Sequence, residues 1–143
     1  MIEVFPAGIV TPNTKKGNEA VDLNRIDRVA EAAGFVIVER TLLTFGPHGW
    51  GGNHKHKRQE LMIVTSGNPT LVHKDEGGNR METPMGRDAE GQLKAFFVPS
   101  WEPHLVVNNG EEPCTIYELR DLISTEWANL EGAEDLFLEE QIN

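Results

Sequence analysis

Three histidines and one glutamate have the types and spacing that suit a transition-metal site. His54, His56 and Glu60 are separated by even numbers of residues, and side chains an even number apart share one face of an extended strand. If this segment is extended, two imidazoles and a carboxylate can converge, and His104 further along the chain would complete a set of four. Imidazole and carboxylate ligands suit a divalent transition metal. The spacing therefore makes this chain a candidate metalloprotein.

Composition limits the partners that such a protein would have. The chain has 143 residues, of which 25% are charged and 38% apolar, with a net charge of -10, so we expect one globular domain. An acidic surface disfavours nucleic acid and anionic membranes as partners, since both are polyanions, but it allows a small anionic substrate. Cys114 is the only cysteine, and with no basic-apolar leader at the start we expect a cytoplasmic protein.

Periodicity predicts an all-β chain with one early helix. Apolar residues recur at helical spacing between Val21 and Ala33, and Gly34 follows at the expected C-cap. The stretch 35–45 is rich in β-branched residues and predicts a long strand, and shorter extended runs follow at 60–66, 70–74, 94–98, 103–108 and 114–120. Several short strands between turn signals indicate a sandwich or barrel.

The remaining segments receive weaker signals. Residues 1–18 are expected to be irregular or weakly extended, and the polar, glycine-rich stretch 75–92 is expected to form a long hairpin tip or mobile loop. From Ser124 onward the acidic tail is predicted to be helical. Four of its apolar residues can pack on the body or on a second subunit: Trp127, Leu130, Phe137 and Leu138.

The histidine segments resemble the two sequence motifs of the cupin superfamily. The first motif, G-x5-H-x-H-x3,4-E-x6-G, fits from His54 through Glu60 to Gly67, although Gly49 lies one position closer than the pattern asks. The second, G-x5-P-x-G-x2-H-x3-N, fits at Pro99, His104 and Asn108. Trp101 stands there in place of the internal glycine, and Gly91 lies eight residues before Pro99. The resemblance covers about residues 35–120.

This resemblance implies a fold and a ligand set. It implies a jelly-roll barrel, or double-stranded β-helix, and the local patterns described above add a short N-terminal helix and a C-terminal helical tail. The expected divisions of this single domain are an N-terminal arm and helix (1–34), a cupin barrel (35–122) and the tail (123–143). It also implies one divalent transition metal ion inside the barrel, held by His54, His56, Glu60 and His104.

A site of this kind supports three classes of function. With four protein ligands a six-coordinate ion keeps two positions open, and Fe, Mn, Ni, Co and Zn all tolerate the set. The ion can polarise the carbonyl of a hydroxy-ketone while a nearby base moves a proton, which is isomerase or epimerase chemistry. The alternatives are an Fe(II)-dependent dioxygenase, favoured by an apolar pocket, and a non-catalytic metal- or ligand-binding cupin.

Two features favour a carbohydrate substrate. The segment from Asn53 to Lys57 is similar to the histidine-rich stretch of nucleotide-sugar ketoisomerases and of small cupins in polysaccharide assembly. Those ketoisomerases work without a metal and lack a glutamate at the ligand position, so Glu60 and His104 indicate a metal-bearing relative. Trp50 and Trp101 flank the ligand segments, and their indole rings are candidate surfaces for stacking on a sugar. Isomerisation or epimerisation of a small carbohydrate or nucleotide sugar is the leading hypothesis.

Four further residues are candidates for catalysis. Arg58 has the parity of the ligands and can enter the cavity, and His48 lies in a loop nearby. Tyr117 and Glu118 are on a predicted strand whose inward face the sequence does not identify. We also expect a homodimer, formed through the apolar 35–45 strand or the tail that carries Trp127.

Overall fold

The computed structural model describes residues 1–9, 11–13 and 18–137, which form twelve strands, one α-helix and one 3-10 turn. The elements in chain order are β1 (Glu3–Ile9), β2 (Thr11–Asn13), β3 (Asn18–Ala20), α1 (Leu23–Ala32), β4 (Glu39–Phe45), β5 (Trp50–His56), β6 (Glu60–Ser66), β7 (Thr70–Lys74), β8 (Arg80–Pro84), β9 (Gln92–Val98), β10 (His104–Val107), β11 (Cys114–Arg120), β12 (Trp127–Asn129) and the 3-10 turn (Gly132–Glu134).

Two five-stranded antiparallel sheets make up the body. One has the order β1-β9-β6-β11-β4 and the other β12-β5-β10-β7-β8, while β2 and β3 pair separately. Neighbours that are distant in sequence, such as β5 and β10, show that the chain crosses repeatedly between positions, as a jelly roll requires. The predicted all-β fold with a short N-terminal helix is confirmed.

Strand β6 of the first sheet is buried on both faces, which explains its continuous apolar sequence. Leu61, Met62, Ile63 and Val64 follow one another in β6 and are all buried. Met62 and Val64 face the barrel interior, while Leu61 and Ile63 belong to a cluster that includes buried residues of α1. A strand covered on both sides needs apolar residues at consecutive positions.

Helix α1 begins and ends where its sequence signals lie. The Asp22 carboxylate accepts a hydrogen bond from the backbone N–H of Arg25 at 3.2 Å, which caps the first turn. Gly34 follows the helix with a φ of 91°, a conformation that glycine adopts at little cost. Ile26 and Ala30 are buried against the first sheet, so α1 covers the face of that sheet opposite the barrel interior.

Three segments add strands to the sequence predictions. β1, in the stretch expected to be irregular or weakly extended, pairs with β9, and β8, in the stretch expected to form a long hairpin tip or mobile loop, pairs with β7 in a hairpin. In the tail, β12 pairs with the edge of β5, and the helical content of residues 123–137 is the single 3-10 turn. The tail prediction was wrong at β12 because β5 offers an unpaired edge, which a local pattern cannot reveal. Leu138 lies outside the described residues.

Two further residues of the motifs, Gly67 and Asn108, stabilise turns and loops at the ends of the barrel. Gly67 has a φ of 86°, and a Cβ there would lie 2.6 Å from the Cβ of Cys114, so both conformation and space call for glycine. The Asn108 amide donates hydrogen bonds to the carbonyls of Phe45, Gly46 and Glu112. These contacts tie together the loops at one end of the barrel.

Within the described residues, every helix is too short and too polar to traverse a lipid bilayer.

Candidate metal centre

Three imidazoles converge inside the barrel. His54 and His56 lie on β5, and His104 lies on the adjacent β10 directly opposite His54. Their ring centroids are 4.8 to 5.0 Å apart, and one ring nitrogen from each lies within 4.8 Å of the others. His56 and His104 are almost fully buried, and His54 is partly exposed. Strand pairing thus brings together histidines about 50 residues apart.

Backbone carbonyls determine which nitrogen of two rings faces the centre. His56 Nδ1 lies 2.7 Å from the carbonyl oxygen of Arg58, and His104 Nδ1 lies 2.9 Å from that of Glu102. A carbonyl oxygen can only accept, so each Nδ1 must donate. In the neutral ring the lone pair then lies on Nε2, which is the arrangement of a metal-binding histidine held by a second contact.

Glu60 brings a carboxylate to the same point. Its Oε2 lies 3.1 Å from His56 Nε2 and 3.7 Å from His104 Nε2. When Nδ1 of a neutral ring carries the proton, its Nε2 is an acceptor, and the Glu60 carboxylate oxygen is an acceptor too. Two acceptors this close need a proton or a cation between them. Metal–ligand distances of about 2.0–2.2 Å put neighbouring ligands roughly 3–4 Å apart, so both separations fit a shared ion.

The charge states of these groups suit a cation. Burial, together with the neighbouring His104 and His56, lowers the pKa of His54 to about 4 despite the opposing charge of Glu60. Burial also lowers the pKa of His104. For Glu60, burial acts to raise the pKa, but the close contacts with His56 and Glu118 and the nearby His104 outweigh it and hold the pKa well below its usual range. Near neutral pH the site therefore offers neutral His54 and His104 beside a carboxylate.

Three of the four groups, His54, Glu60 and His104, line a cavity of about 130 Å³. Its apolar walls include Leu43, Phe45, Met62 and Val106, and its polar lining is His54, Arg58, Glu60, His104, Glu118 and Arg120. A second opening of about 310 Å³, lined by His54, Arg58, Thr125 and Trp127, shares two residues with the cavity. We call this second opening the vestibule.

Glu118 and Arg120 form a charged wall beside the candidate ligands. Arg120 Nη2 donates to Glu118 Oε2 at 2.8 Å, and Arg120 Nε lies 3.5 Å from Glu60 Oε1. Burial, reinforced by the negative charge of Glu60, raises the pKa of Glu118 well above its usual range, although Arg120 opposes the shift. These effects favour the protonated form of Glu118, which can donate a hydrogen bond to Glu60. A protonated buried carboxyl next to a metal-type site is equipped for proton transfer.

A β-bulge at Asn53 decides which residues of β5 face inward. His104 is opposite His54, but the next residue, Leu105, is opposite Gly52, so Asn53 is the extra residue. It has a φ of 57°, and its amide is held by the Asp135 carboxylate and the backbone N–H of Leu136, both at 3.0 Å. A bulge shifts the alternation of side chains by one, so Gly51 lines the cavity where Trp50 would otherwise point.

The two tryptophans expected to stack on substrate lie elsewhere. Trp50 packs edge-on against Phe137, with ring centroids 4.5 Å apart, and does not line the cavity or the vestibule. Trp101 has a φ of 62° and an exposed side chain, and its backbone N–H donates to the carbonyl of His56 at 2.7 Å. The positive φ explains why the second motif has glycine at this position.

The four candidates for catalysis separate into two pairs. Arg58 and Glu118 line the cavity. Tyr117 lies on the opposite face of its strand, where its hydroxyl donates to Asp27 Oδ1 at 2.8 Å. His48 is exposed on a loop, 3.0 Å from a carboxylate oxygen of Glu111. Strand alternation accounts for the separation of Tyr117 from Glu118.

Sequence reasoning missed Trp127 as a residue of this region. Its ring lies 6.2 Å from that of His54, measured between centroids, and it lines the vestibule. Trp127 reaches this position because β12 pairs with β5, with Trp127 opposite His56. A pairing between segments 71 positions apart leaves no local sequence signal.

Comparison with known proteins places these features in a family. The Cupin domain matches residues 41–120, whereas no curated protein sequence matches the chain. Among solved structures, a dTDP sugar isomerase from Desulfovibrio desulfuricans has a TM-score of 0.67 at 15% identity, covering 91% of this chain and 83% of its own. The 3'-monoepimerase ChmJ from Streptomyces bikiniensis, in complex with dTDP-quinovose, has a TM-score of 0.68 at 11% identity, covering 91% and 69%.

The capsular polysaccharide assembling protein CapF from Staphylococcus aureus also matches, with a TM-score of 0.56 at 16% identity over 68% of this chain. The matched region is only 29% of the CapF chain. At these identities the likeness to solved structures concerns the fold. The domain match over more than half of the chain, together with the two facing sheets and the inward histidines, shows that the chain belongs to the cupin family.

Proposed function

We propose that this cupin is a metal-dependent isomerase or epimerase that acts on a small carbohydrate or a nucleotide-linked sugar. The observation that carries the proposal is the composition of one cavity wall. A buried carboxyl, Glu118, and a guanidinium, Arg120, line the same small cavity as the imidazoles of His54 and His104, and the His56 ring lies beside that of His104. This arrangement puts a proton-transfer group beside a centre that can polarise a carbonyl.

In this proposal His54, His56, Glu60 and His104 would hold one divalent ion. The ion would supply Lewis-acid polarisation of a substrate carbonyl. The two histidine Nδ1–H contacts to backbone carbonyls support this role, because they orient the rings before a metal ion binds. Preorganised ligands bind a metal without first losing side-chain entropy.

Glu118 is the candidate that moves the proton. Its carboxyl lies on the cavity wall, and Arg120 holds it by a 2.8 Å hydrogen bond, so it is buried and held in one orientation. Transfer of a proton at the carbon next to a carbonyl needs such a positioned group. Arg120 would stabilise the negative charge that develops on the substrate oxygen.

The polarity of the cavity favours this chemistry over an Fe(II)-dependent dioxygenase. An O₂-using site was expected to have an apolar pocket with few charged neighbours, whereas Arg58, Glu118 and Arg120 all line this one. Two of the solved structures that resemble the chain are a sugar isomerase and a sugar epimerase. The activities named for those two structures support an isomerase or epimerase here through likeness of fold.

The direct test is proton exchange on a keto-sugar. Protein loaded with Zn(II), Mn(II) or Co(II) would be incubated in D₂O with free and nucleotide-linked keto-hexoses, and deuterium beside the carbonyl would be followed by NMR. We expect exchange by the wild type, and a loss of about 10²–10⁴-fold in Glu118→Gln, the usual contribution of a general acid or base. Glu76→Gln is the matched control, since Glu76 is exposed in a distant turn.

Two results would contradict the proposal. One is equal exchange by wild type and Glu118→Gln. The other is tightly held iron, found by elemental analysis of protein purified without added metal or an affinity tag, together with O₂ consumption and no exchange.

A further inference from the structure

Arg58 lies where the cavity meets the vestibule. Both openings are lined by His54 and Arg58, and no other residue is common to the two linings. The vestibule, at about 310 Å³, is larger than the inner cavity of about 130 Å³. A molecule that approached the imidazoles from the vestibule would therefore pass beside the Arg58 side chain.

The guanidinium of Arg58 has no acidic partner among the described residues. Its Nη1 donates to the carbonyl oxygen of Ser124 at 3.2 Å, and its Nε is buried without a hydrogen-bond partner. Arg120, in contrast, lies within 3.7 Å of carboxylate oxygens of Glu39, Glu60 and Glu118. A buried donor without a partner is costly. Arg120 Nε is also buried without a hydrogen-bond partner, but three carboxylates already surround that guanidinium, so Arg58 is the cavity cation whose charge no described carboxylate balances.

The rest of the vestibule suits a flat organic group. Trp127 is 56% exposed, and its ring lies at the edge of the His54 ring. An exposed indole offers an apolar face on which a sugar ring or other flat group can stack. Positive charge and a flat apolar surface thus occur together at the entrance.

We propose that Arg58 binds an oxyanion of the substrate, a carboxylate or phosphoryl oxygen, while the flat part of the molecule lies against Trp127. This inference rests on the proposed function, since it names the class of substrate that would use the same cavity. It restricts that class to acidic or phosphorylated carbohydrates and excludes neutral sugars. A guanidinium suits both oxyanions, because its fork of N–H donors matches their geometry.

Arg58 can be tested without dismantling the metal centre. The contact that orients His56 uses the backbone carbonyl of Arg58, and any substitution keeps that carbonyl. The side chain also has no bond to a candidate ligand. We therefore expect the zinc content of Arg58→Gln to equal that of the wild type, which separates loss of an anion site from loss of the metal.

The experiment is calorimetric titration of the zinc-loaded full chain with three probes of similar size. D-Glucose is neutral, D-glucuronate carries a carboxylate, and D-glucose 1-phosphate carries a phosphoryl group. We expect at least one anionic probe to bind tenfold or more tightly than glucose, and the tighter of the two identifies the oxyanion. Arg58→Gln should weaken that binding by about 10–100-fold, as for loss of a charge-assisted hydrogen bond.

Matched variants decide the outcome. Arg58→Lys should recover part of the affinity, because it keeps the charge but loses the fork. Arg28→Gln removes an equal charge from the exposed surface of α1 and should bind as the wild type does. Equal affinity for glucose and both anions, no binding of any probe, or an unchanged affinity in Arg58→Gln would overturn the inference.

The two proposals fail separately. If Arg58-dependent binding is found but no keto-sugar exchanges deuterium, the oxyanion site stands and the isomerase proposal falls. If deuterium exchange is found with neutral sugars and is indifferent to Arg58→Gln, the isomerase proposal stands and the oxyanion site falls.

Discussion

Replacement of His104 by glutamine should remove one ligand from the metal centre and leave the barrel folded. His104 is 3% exposed and lies directly opposite His54 across the β5–β10 pairing. Its Nδ1 is held by the carbonyl of Glu102, so its Nε2 is directed toward Glu60. Glutamine is nearly as long and polar, but an amide is a poor ligand for the transition metals that imidazole binds.

The expected loss of affinity follows from the number of ligands. Structural four-ligand zinc sites bind with about 10–16 kcal/mol, so one ligand of four corresponds to about 2.5–4 kcal/mol. That is about 10²–10³-fold in Kd. If the free metal is held at about 1,000 times the wild-type Kd, binding stabilises the wild type by about 4 kcal/mol, but a variant with a 100-fold weaker Kd by only about 1.4 kcal/mol.

Two assays measure these quantities. Competition of the metal-free protein with a chromophoric chelator for Zn(II) or Co(II) gives the Kd. Thermal unfolding with and without metal gives the stabilisation. For a domain of this size 1 kcal/mol corresponds to roughly 2–4 °C. We thus expect metal to raise the melting temperature by about 8–16 °C in the wild type and by about 3–6 °C in the variant.

His73→Gln is the matched control. His73 is also buried and also lies in the second sheet, on β7, but its Nε2 contacts the hydroxyl oxygen of Thr83 at 2.8 Å, outside the centre. Its substitution should change the stability of the metal-free protein without changing the Kd. The reasoning fails if His104→Gln binds metal within threefold of the wild type, or if His73→Gln weakens binding as much.

Three further predictions concern the scaffold. Burial and the bond to Asp27 raise the pKa of Tyr117 to about 12, so the folded state favours the neutral phenol. Its stabilising contribution is complete below pH about 10 and is lost as pH rises through about 12. In urea titrations at pH 8, Tyr117→Phe should lower the free energy of unfolding by about 1–3 kcal/mol. The variant should also lose less stability than the wild type as the pH rises through this range. If both proteins lose stability equally steeply, groups other than Tyr117 cause the loss. Gly67→Ala should lower the free energy of unfolding by about 2–4 kcal/mol, because φ is positive there and the new Cβ would lie 2.6 Å from the nearest atom. In Gly110→Ala the new Cβ would lie 3.5 Å from its nearest neighbour, so the free energy of unfolding should change by less than about 1 kcal/mol. Light scattering tests the expected homodimer, which should have a mass near twice 15.9 kDa. Leu42→Glu, on the exposed edge strand β4, should shift the mass toward that of the monomer. A monomeric wild type would contradict the prediction.

The strands and the helix follow from local patterns. Runs predicted at 60–66, 70–74 and 114–120 coincide with β6, β7 and β11, because each has several apolar or β-branched residues bounded by turn residues. Three strands that these patterns did not identify, β1, β8 and β12, share a different property. Each pairs at a sheet edge with β9, β7 or β5 respectively, and edge pairing depends on the partner more than on the segment's own composition.

The candidate ligands show the same division between local and non-local information. The order and spacing of His54, His56, Glu60 and His104 indicated a metal site before any fold was known. Which other residues join them depends on strand alternation, which a single inserted residue reverses. The bulge at Asn53 turns Trp50 outward, and it is held by residues of the tail more than 80 positions away.

The sequence by itself therefore determined the family, the strand-rich fold and the residues able to bind a metal, because these depend on residue type and short-range spacing. The tertiary structure alone decided that Glu118 rather than Tyr117 faces the cavity, that Trp127 rather than Trp50 lines its entrance, and that Arg58 stands there without an acidic partner among the described residues. These outcomes depend on register, on a bulge and on pairing between distant segments. Such contacts form only when the whole barrel closes, so no window of the sequence contains them.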